Sequence, residues 1–282
     1  MITDVSQRWT TGRVSYRPAS EPLITSQFEI VQVREDARVK AFIEEHHYSS
    51  SYPAARFRFE LWWRKPGEAQ RMVGAAVFSH PSNDRVLTSV FPGAAVESVE
   101  LGRLVQLDEV PSNSESFFVG HCLRELRKQG ILGVVSFSDP VPRLDGDRVV
   151  MRGHIGVVYK ASNALYVGRA TPRTLDLFHD GTVFSARTSQ KIRAQERGWA
   201  HAAQLLVDRG ADRPPTSGPA IVAWLSHWKA ALTTKLRHGG NLKYLFPLGG
   251  KAVERHVRAV AKVQKYLKAR RDERGVLIEL VG

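Results

Sequence analysis

The stretch that most constrains what this chain can fold into runs from Glu100 to Gly168. Leu101, Leu104, Val105 and Leu107 mark a strand that runs into Pro111-Ser112-Asn113-Ser114-Glu115-Ser116. That polar cluster suits a helix N-terminus, with Ser or Asn as cap, Glu115 near the first turn and Pro111 at the break. Phe118, Cys122 and Leu126 then recur at i, i+4 and i+8, with Val119 and Leu123 beside them, which predicts an amphipathic helix. Gly130 stops it. Ile131 to Phe137 is short, continuously apolar and β-branched, as a buried parallel strand is. A β-α-β unit of this kind brings two features to one edge of a sheet: the unpaired N–H groups of the helix start, suited to an anion, and the C-terminal end of the second strand. Ser114 lies at the first, and Ser136, Ser138 and Asp139 at the second. A ligand site near Ser114 and Asp139 in an α/β core is therefore expected.

The remaining patterns fill in a mixed fold. Residues 1–25 are polar and predict an extended N-terminal arm. Phe28 to Val33 alternates as a half-buried strand, and Asp36 to Glu45 predicts a short helix with Val39, Phe42 and Ile43 inward. His46-His47-Tyr48-Ser49-Ser50-Ser51-Tyr52-Pro53 is a loop dense in hydrogen-bonding groups. Strands follow at Arg56–Trp63 and Arg71–Phe78, with a third strand or loop around Leu87–Phe91. After the β-α-β unit come a helix at Gly156–Ala164 and a strand near Tyr166–Ala170. Antiparallel strands followed by a β-α-β unit form the layout of the GNAT (N-acetyltransferase-like) fold. The expected class is thus α/β (α+β): a GNAT-like mixed sheet with flanking helices over residues 26–186. Beyond it, residues 187–282 predict a basic helical extension, with helices at Thr188–Asp208, Ala220–Leu236 and Lys251–Arg271 and an apolar extended segment at Asn241–Leu248.

Charge separates these two regions. Of a net +13, residues 187–282 carry 19 Lys and Arg against 7 Asp and Glu, whereas residues 1–186 are nearly neutral. A neutral core with a basic tail points to a polyanionic partner, most simply nucleic acid. One cysteine excludes a disulfide framework and a Cys-rich zinc site, and Cys122, on the apolar side of its helix, reads as a packed thiol. No apolar run approaches the roughly 20 residues that span a bilayer, and the N-terminus lacks the apolar region of a secretory signal. A cytoplasmic location with no membrane partner is expected. No G-x-G, Walker A or H-E-x-x-H motif is present. His46 and His47 are adjacent, so their side chains diverge, and neither has a partner at i+3 or i+4; no local metal clip is indicated.

Several separated pieces together resemble one family. They are His46-His47-Tyr48-Ser49, Glu100-Leu101-Gly102-Arg103-Leu104, Pro111 to Ser116, Val135-Ser136-Phe137-Ser138-Asp139-Pro140, Gly153-His154-Ile155-Gly156, Tyr159-Lys160-Ala161-Ser162-Asn163 and Leu242-Lys243-Tyr244-Leu245-Phe246-Pro247-Leu248. In their order they are similar to the Mom family of phage DNA-modification proteins, over roughly residues 40–250.

The resemblance implies a GNAT-like transferase that modifies the phage's own double-stranded DNA against host restriction, adding a carbamoylmethyl (acetamido) group to N6 of adenine. It implies Asp139, Tyr48, Ser136 and His47 as catalytic residues. Arg103, Asn113, Ser114, Ser116, Tyr159 and Asn163 are then expected to hold a small-molecule group donor. Tyr52, His154, Arg187, Lys191, Arg193, Lys243 and Tyr244 are expected to meet the DNA. The donor stays open: acetyl-CoA, another acyl or amino-acid donor, with iron also suggested for the family. The glycines of the usual acetyltransferase pyrophosphate loop are missing here, and Glu115 would repel a pyrophosphate. Two alternatives stand beside this reading: a GNAT-type acetyltransferase acting on a protein or small amine, and a non-catalytic DNA-binding protein.

Overall fold

A computed structural model describes residues 5–10, 13–18, 20–49, 51–216 and 218–282, those before 17 by their backbone alone. Strands β1 (Val5–Thr10) and β2 (Arg13–Pro18) form an antiparallel hairpin in the arm. Then come β3 (Phe28–Val33), α1 (Ala37–His46), β4 (Ala55–Trp63), β5 (Arg71–Ser79), α2 (Arg85–Thr88), β6 (Ser98–Gln106), α3 (Ser114–Lys128) and β7 (Gly133–Ser138). A hairpin of β8 (Arg143–Asp145) and β9 (Arg148–Met151) leads to α4 (Val157–Ala161) and β10 (Leu165–Arg169). Next are β11 (Arg173–Phe178), β12 (Val183–Phe184), α5 (Ala186–Arg193), α6 (Trp199–Val207), α7 (Gly218–Leu232) and β13 (Thr233–His238). The chain closes with β14 (Leu242–Pro247), α8 (Lys251–Val260), β15 (Lys268–Arg271) and β16 (Leu277–Val281). Class α/β with a mixed sheet is thus the observed class.

Two compact units divide these elements. One comprises the chain up to Pro140, Met151–Ala170 and Asn241–Gly282; the other comprises Val141–Val150 and Thr171–Gly240. The first unit is built on a seven-stranded sheet of order β10-β14-β7-β6-β5-β4-β3. Only β6 and β7 are parallel, joined through α3 as the β-α-β pattern requires. Their pairing runs from Ser98 opposite Gly133 to Leu101 opposite Ser136 and stops there. Beyond that point β6 continues to Gln106 on β5, and β7 continues to Ser138 on β14. The two central strands therefore part, leaving a fork in the middle of the sheet.

Alternation along the strands sorts the core onto two faces. Phe59, Phe78, Leu101, Val134 and Tyr244 pack with Phe118, Cys122 and Leu126 of α3. On the other face, Val39 and Ile43 of α1 meet Ala75, Val77 and Val105, while Val253 and Val257 of α8 join Leu87, Phe91, Val135 and Leu245. Each such fully buried side chain contributes about 1.5–3 kcal/mol. Cys122 is fully buried, and burial pushes its thiol up, so it is a packed thiol. The second unit has its own core, in which Phe178 and Phe184 of the β12-β11-β13 sheet pack with Ile192, Leu206, Ile221 and Leu225.

Several expected elements take another form. The helix expected over Thr188–Asp208 is two helices, because Gln195 (φ 48°) and Gly198 (φ 79°) turn the chain left-handed between them. The next helix ends at Leu232, and β-branched Thr233 and Thr234 start a strand instead. The helix expected to reach Arg271 stops at Val260. Ala261 is already extended, and the following segment runs along the edge strand β10: Gln264 N–H donates to Tyr166 O at 2.8 Å, and Tyr266 O–H bonds to Ala164 O. Exposed edge carbonyls need donors, and a helix has none to spare. The apolar segment 241–248 is β14, a central strand of the main sheet. Around Leu87 there is a short helix, and the helix after Gly156 spans only Val157–Ala161.

Candidate active site

The fork between β6 and β7 collects several of the polar side chains that sequence singled out. The loop after α1 supplies His47, Tyr48, Ser49 and Ser51; β6 supplies Glu100 and Arg103. The end of β7 supplies Ser136, Ser138 and Asp139, and the turn before α4 supplies His154. A chain of hydrogen bonds fixes the first group. Arg103 donates through Nε to Ser51 O (2.7 Å) and through Nη2 to Ser51 Oγ (2.6 Å). Ser51 Oγ donates to Ser49 Oγ (3.3 Å), which lies 2.9 Å from His47 Nδ1. The backbone N–H of Ser49 also donates to Nδ1, at 3.2 Å. An Nδ1 that accepts from a main-chain N–H assigns the ring proton to Nε2.

His154 arrives from the other strand. Its N–H donates to Asp139 O at 2.8 Å, and its imidazole meets Tyr48: Tyr48 Oη lies 3.4 Å from Nε2 and the rings are 5.8 Å apart. Tyr48 also lies against His47, with ring centroids 4.3 Å apart, and keeps 40% of its surface exposed. Gly153 makes this approach possible. It has φ 72°, and a Cβ there would lie 2.5 Å from Pro140 O.

Electrostatics keep both imidazoles neutral. Burial, reinforced by the charge of Arg103 and by His154, pushes His47 down to about 3. Burial also takes His154 down to about 4; the Asp139 carboxylate opposes this, while Arg271 and Arg152 add to it. Burial raises the Glu100 carboxyl, with Arg103 opposing. At neutral pH both imidazoles are therefore in the unprotonated form that a proton acceptor requires, beside an exposed phenol and a half-buried guanidinium.

Other expected site residues are placed elsewhere or are already engaged. Ser136 is fully buried and its hydroxyl donates to Leu101 O at 3.2 Å, which ties β7 to β6 at their last paired residues. Tyr159 and Tyr244 are buried in the core, with ring centroids 5.3 Å apart, and Tyr244 O–H bonds to Ile155 O. Tyr52 donates to Asp36 Oδ1 at 2.6 Å. Lys243 is half-buried and its ammonium is lowered by burial. Asn163 is exposed, left-handed (φ 60°), at the end of α4. Arg187 pairs with Glu196, and Lys191 and Arg193 lie with it on α5 in the second unit.

The start of α3 does not fit a pyrophosphate. Ser114 is fully buried, its hydroxyl donating to Gln106 Oε1 at 2.7 Å while Gln106 Nε2 donates to Ser114 O at 3.3 Å. Asn113 is exposed and left-handed, and Ser116 Oγ donates back to Asn113 O at 2.9 Å. The N–H of Ser112 donates to the Glu21 carboxylate at 3.2 Å, and Glu115 occupies the first turn. Two carboxylates thus stand where an anion would bind. Among the described residues no three His, Cys, Asp or Glu side chains are grouped to hold a metal ion.

Sequence reading missed Ser51, Gln106, Glu21 and Arg271. Gln106 carried a signal, a polar residue at the end of an apolar strand; the other three act through contacts distant in sequence.

Among the described residues no helix is long and apolar enough to cross a membrane. No curated protein matches the chain. The family model described as the Mom protein family matches residues 27–214, a stretch that includes every residue of the fork. Matched over more than half of its length, this chain belongs to the Mom protein family.

Proposed function

We propose that the fork is the active centre of a transferase that places a carbamoylmethyl-type group on N6 of adenine in double-stranded phage DNA. DNA modification is the function class that the family carries. The observation that supports the finer reading is the meeting of neutral His154, exposed Tyr48 and Asp139 where β6 and β7 part. Arrangement of the sheet around that fork supports a GNAT-like ancestry.

Adenine N6 is shared with the ring π-system and buried in the base pair, so the base must leave the stack before it reacts. Tyr48 offers its exposed ring for the flipped base to stack on. His154 accepts the N6 proton through Nε2 as the new N–C bond forms, so that no ammonium intermediate need persist. Tyr48 Oη, 3.4 Å from Nε2, turns to the base instead. Asp139 orients the His154 loop through its carbonyl and favours the imidazolium once the proton has moved. Arg103, held on Ser51, offers positive charge to the group that leaves the donor. The donor supplies the electrophilic carbon.

DNA must be gripped by phosphates. Lys262, Lys265 and Lys268 lie exposed at intervals of three on the segment after α8. Three phosphate contacts correspond to a salt slope of about −3.

Nucleoside mass spectrometry of plasmid DNA from cells expressing the protein tests the reading. A new deoxyadenosine species is expected, absent with His154→Gln. Unmodified DNA from cells holding folded, DNA-binding protein would sink the proposal.

A further inference from the structure

The C-terminal hairpin lies beyond the stretch that the family model matches, yet it is hydrogen-bonded to the His154 loop at two places. Arg271 Nη1 donates to Gly153 O at 3.0 Å and to Gly275 O at 2.8 Å, so one guanidinium clasps the loop to the hairpin's own turn. Leu277 N–H donates to Arg152 O at 2.8 Å. A Cβ on Gly153 would lie 3.3 Å from Leu277 Cβ, so the two segments are in contact along their backbones. Gly275, Val276 and Leu277 are buried, as a docked element's turn is. The hairpin turn is itself set by Asp272, whose Oδ1 accepts from the N–H groups of Arg274 and Val276.

We propose that the hairpin β15–β16 completes the active centre, with Arg271 as the positioning residue that holds the Gly153–His154 loop in register with Tyr48 and Asp139. The inference rests on His154 as the base of the proposed reaction. It explains why a loop led by a left-handed glycine, with no helix or strand of its own, presents His154 in one place: its carbonyls at Arg152 and Gly153 are both taken by the hairpin. Arg271 also brings a fixed positive charge near the imidazole. The charged and titratable groups around His154 are Asp139, which favours its protonation, Arg152 and Arg271, which oppose it, the phenol of Tyr48, and His47, whose own protonation His154 opposes. A cation removed from that set leaves the Asp139 carboxylate less opposed, so His154 protonates at higher pH.

Two full-length variants separate the clasp from the charge. Arg271→Gln removes both, and Arg271→Lys keeps the charge on a side chain one bond shorter, whose ammonium falls short of the place from which Nη1 donates to both carbonyls. The His154 ring proton is followed by NMR against pH, in parallel with DNA modification rates. With Arg271→Gln, His154 is expected to titrate at least about half a unit higher, and the acid limb of the pH–rate profile to move with it. The turnover number is expected to fall at least about tenfold with the Michaelis constant for DNA changed less than about twofold, the signature of a misplaced base. Arg271→Lys should keep the low titration and lose the turnover. Folded Arg271→Gln with unchanged titration and turnover would overturn the proposal, as would a rise in the Michaelis constant alone, which marks a phosphate contact. Should Arg271→Gln unfold, undiminished turnover of Arg271→Lys overturns it. The titration needs no turnover. A shifted titration in Arg271→Gln, alongside a fully active His154→Gln, upholds the brace and removes only the base assignment.

Discussion

Two places in this chain have the composition of a binding site, and the structure treats them in opposite ways. The fork of β6 and β7 gathers His47, Tyr48, Arg103, Asp139 and His154, and leaves the Tyr48 ring open to solvent. The start of α3 has the Ser and Asn cluster and a helix N-terminus. There Ser114 is paired with Gln106, and the Ser112 N–H is met by Glu21. Hydroxyls and amides alone do not distinguish a site from a well-satisfied helix cap. What distinguishes them is whether the hydrogen-bonding capacity is used up inside the chain. At α3 it is, and two carboxylates add a repulsion for any anion. At the fork the bonds run toward His47 and His154, leaving neutral imidazoles at a partly open edge.

The largest effect that tests this contrast is loss of chemistry at the fork. His154→Gln is expected to reduce DNA modification by about 10²–10⁴-fold, the range for a general base, with stability little changed. Nucleoside mass spectrometry over a time course checks it. A loss below about threefold would move the base elsewhere in the fork.

Ser114→Ala should do the reverse. It removes the hydroxyl that donates to Gln106 Oε1 in the core, and a hydrogen bond of that kind contributes about 0.5–1.5 kcal/mol. An unfolding free energy in urea lowered by that amount, with modification within about twofold of the parent, places Ser114 among the structural residues. A normal midpoint with lost activity would return it to the donor site.

That pair of variants also shows how far sequence alone could reach. The β-α-β unit was legible because α3 and β7 are buried: Phe118, Cys122 and Leu126 must repeat at helical spacing and Ile131–Phe137 must be apolar on both faces. His47, Tyr48, Asp139 and His154 were legible only as polar residues at element ends, and their meeting depends on which strands pair. The basic C-terminal third was the least legible. Leu242–Pro247 reads as a tail segment and is a central strand, because an insertion of some seventy residues separates it from β10, its neighbour in the sheet. Lys251–Arg271 has helical spacing throughout, yet the unpaired carbonyls of β10 draw Gln264 and Tyr266 out of it. Such long-range demands leave no local periodicity.

Acid sharpens the contrast through stability. His47 and His154 bind protons in the folded chain only near 3 and 4, against about 6.5 when unfolded. Between those values the unfolded chain holds more protons, so stability is full above about pH 6.5 and falls as pH drops toward 4 and below. The denaturation midpoint should therefore decline over that window, and less steeply in His47→Gln. An identical slope in that variant would mean that the His47 ring is not held neutral by the fork.

The smallest expected effect bears on the other region. Glu21 accepts from Ser112 N–H at 3.2 Å and from Arg17 Nε at 2.7 Å, so its carboxylate faces the positive end of α3 with its own charge largely matched. A carboxylate in that position contributes about 0.3–1 kcal/mol, so Glu21→Gln should lower the melting temperature by only about 1–3 °C. Modification should not change, because on this reading nothing from the donor binds there. A faster reaction in Glu21→Gln, or one whose donor is bound more tightly, would reverse the comparison. It would make the α3 start a genuine anion site that the arm's carboxylate competes for, and the closed hydrogen bonds seen there would describe an occupied site rather than a finished cap.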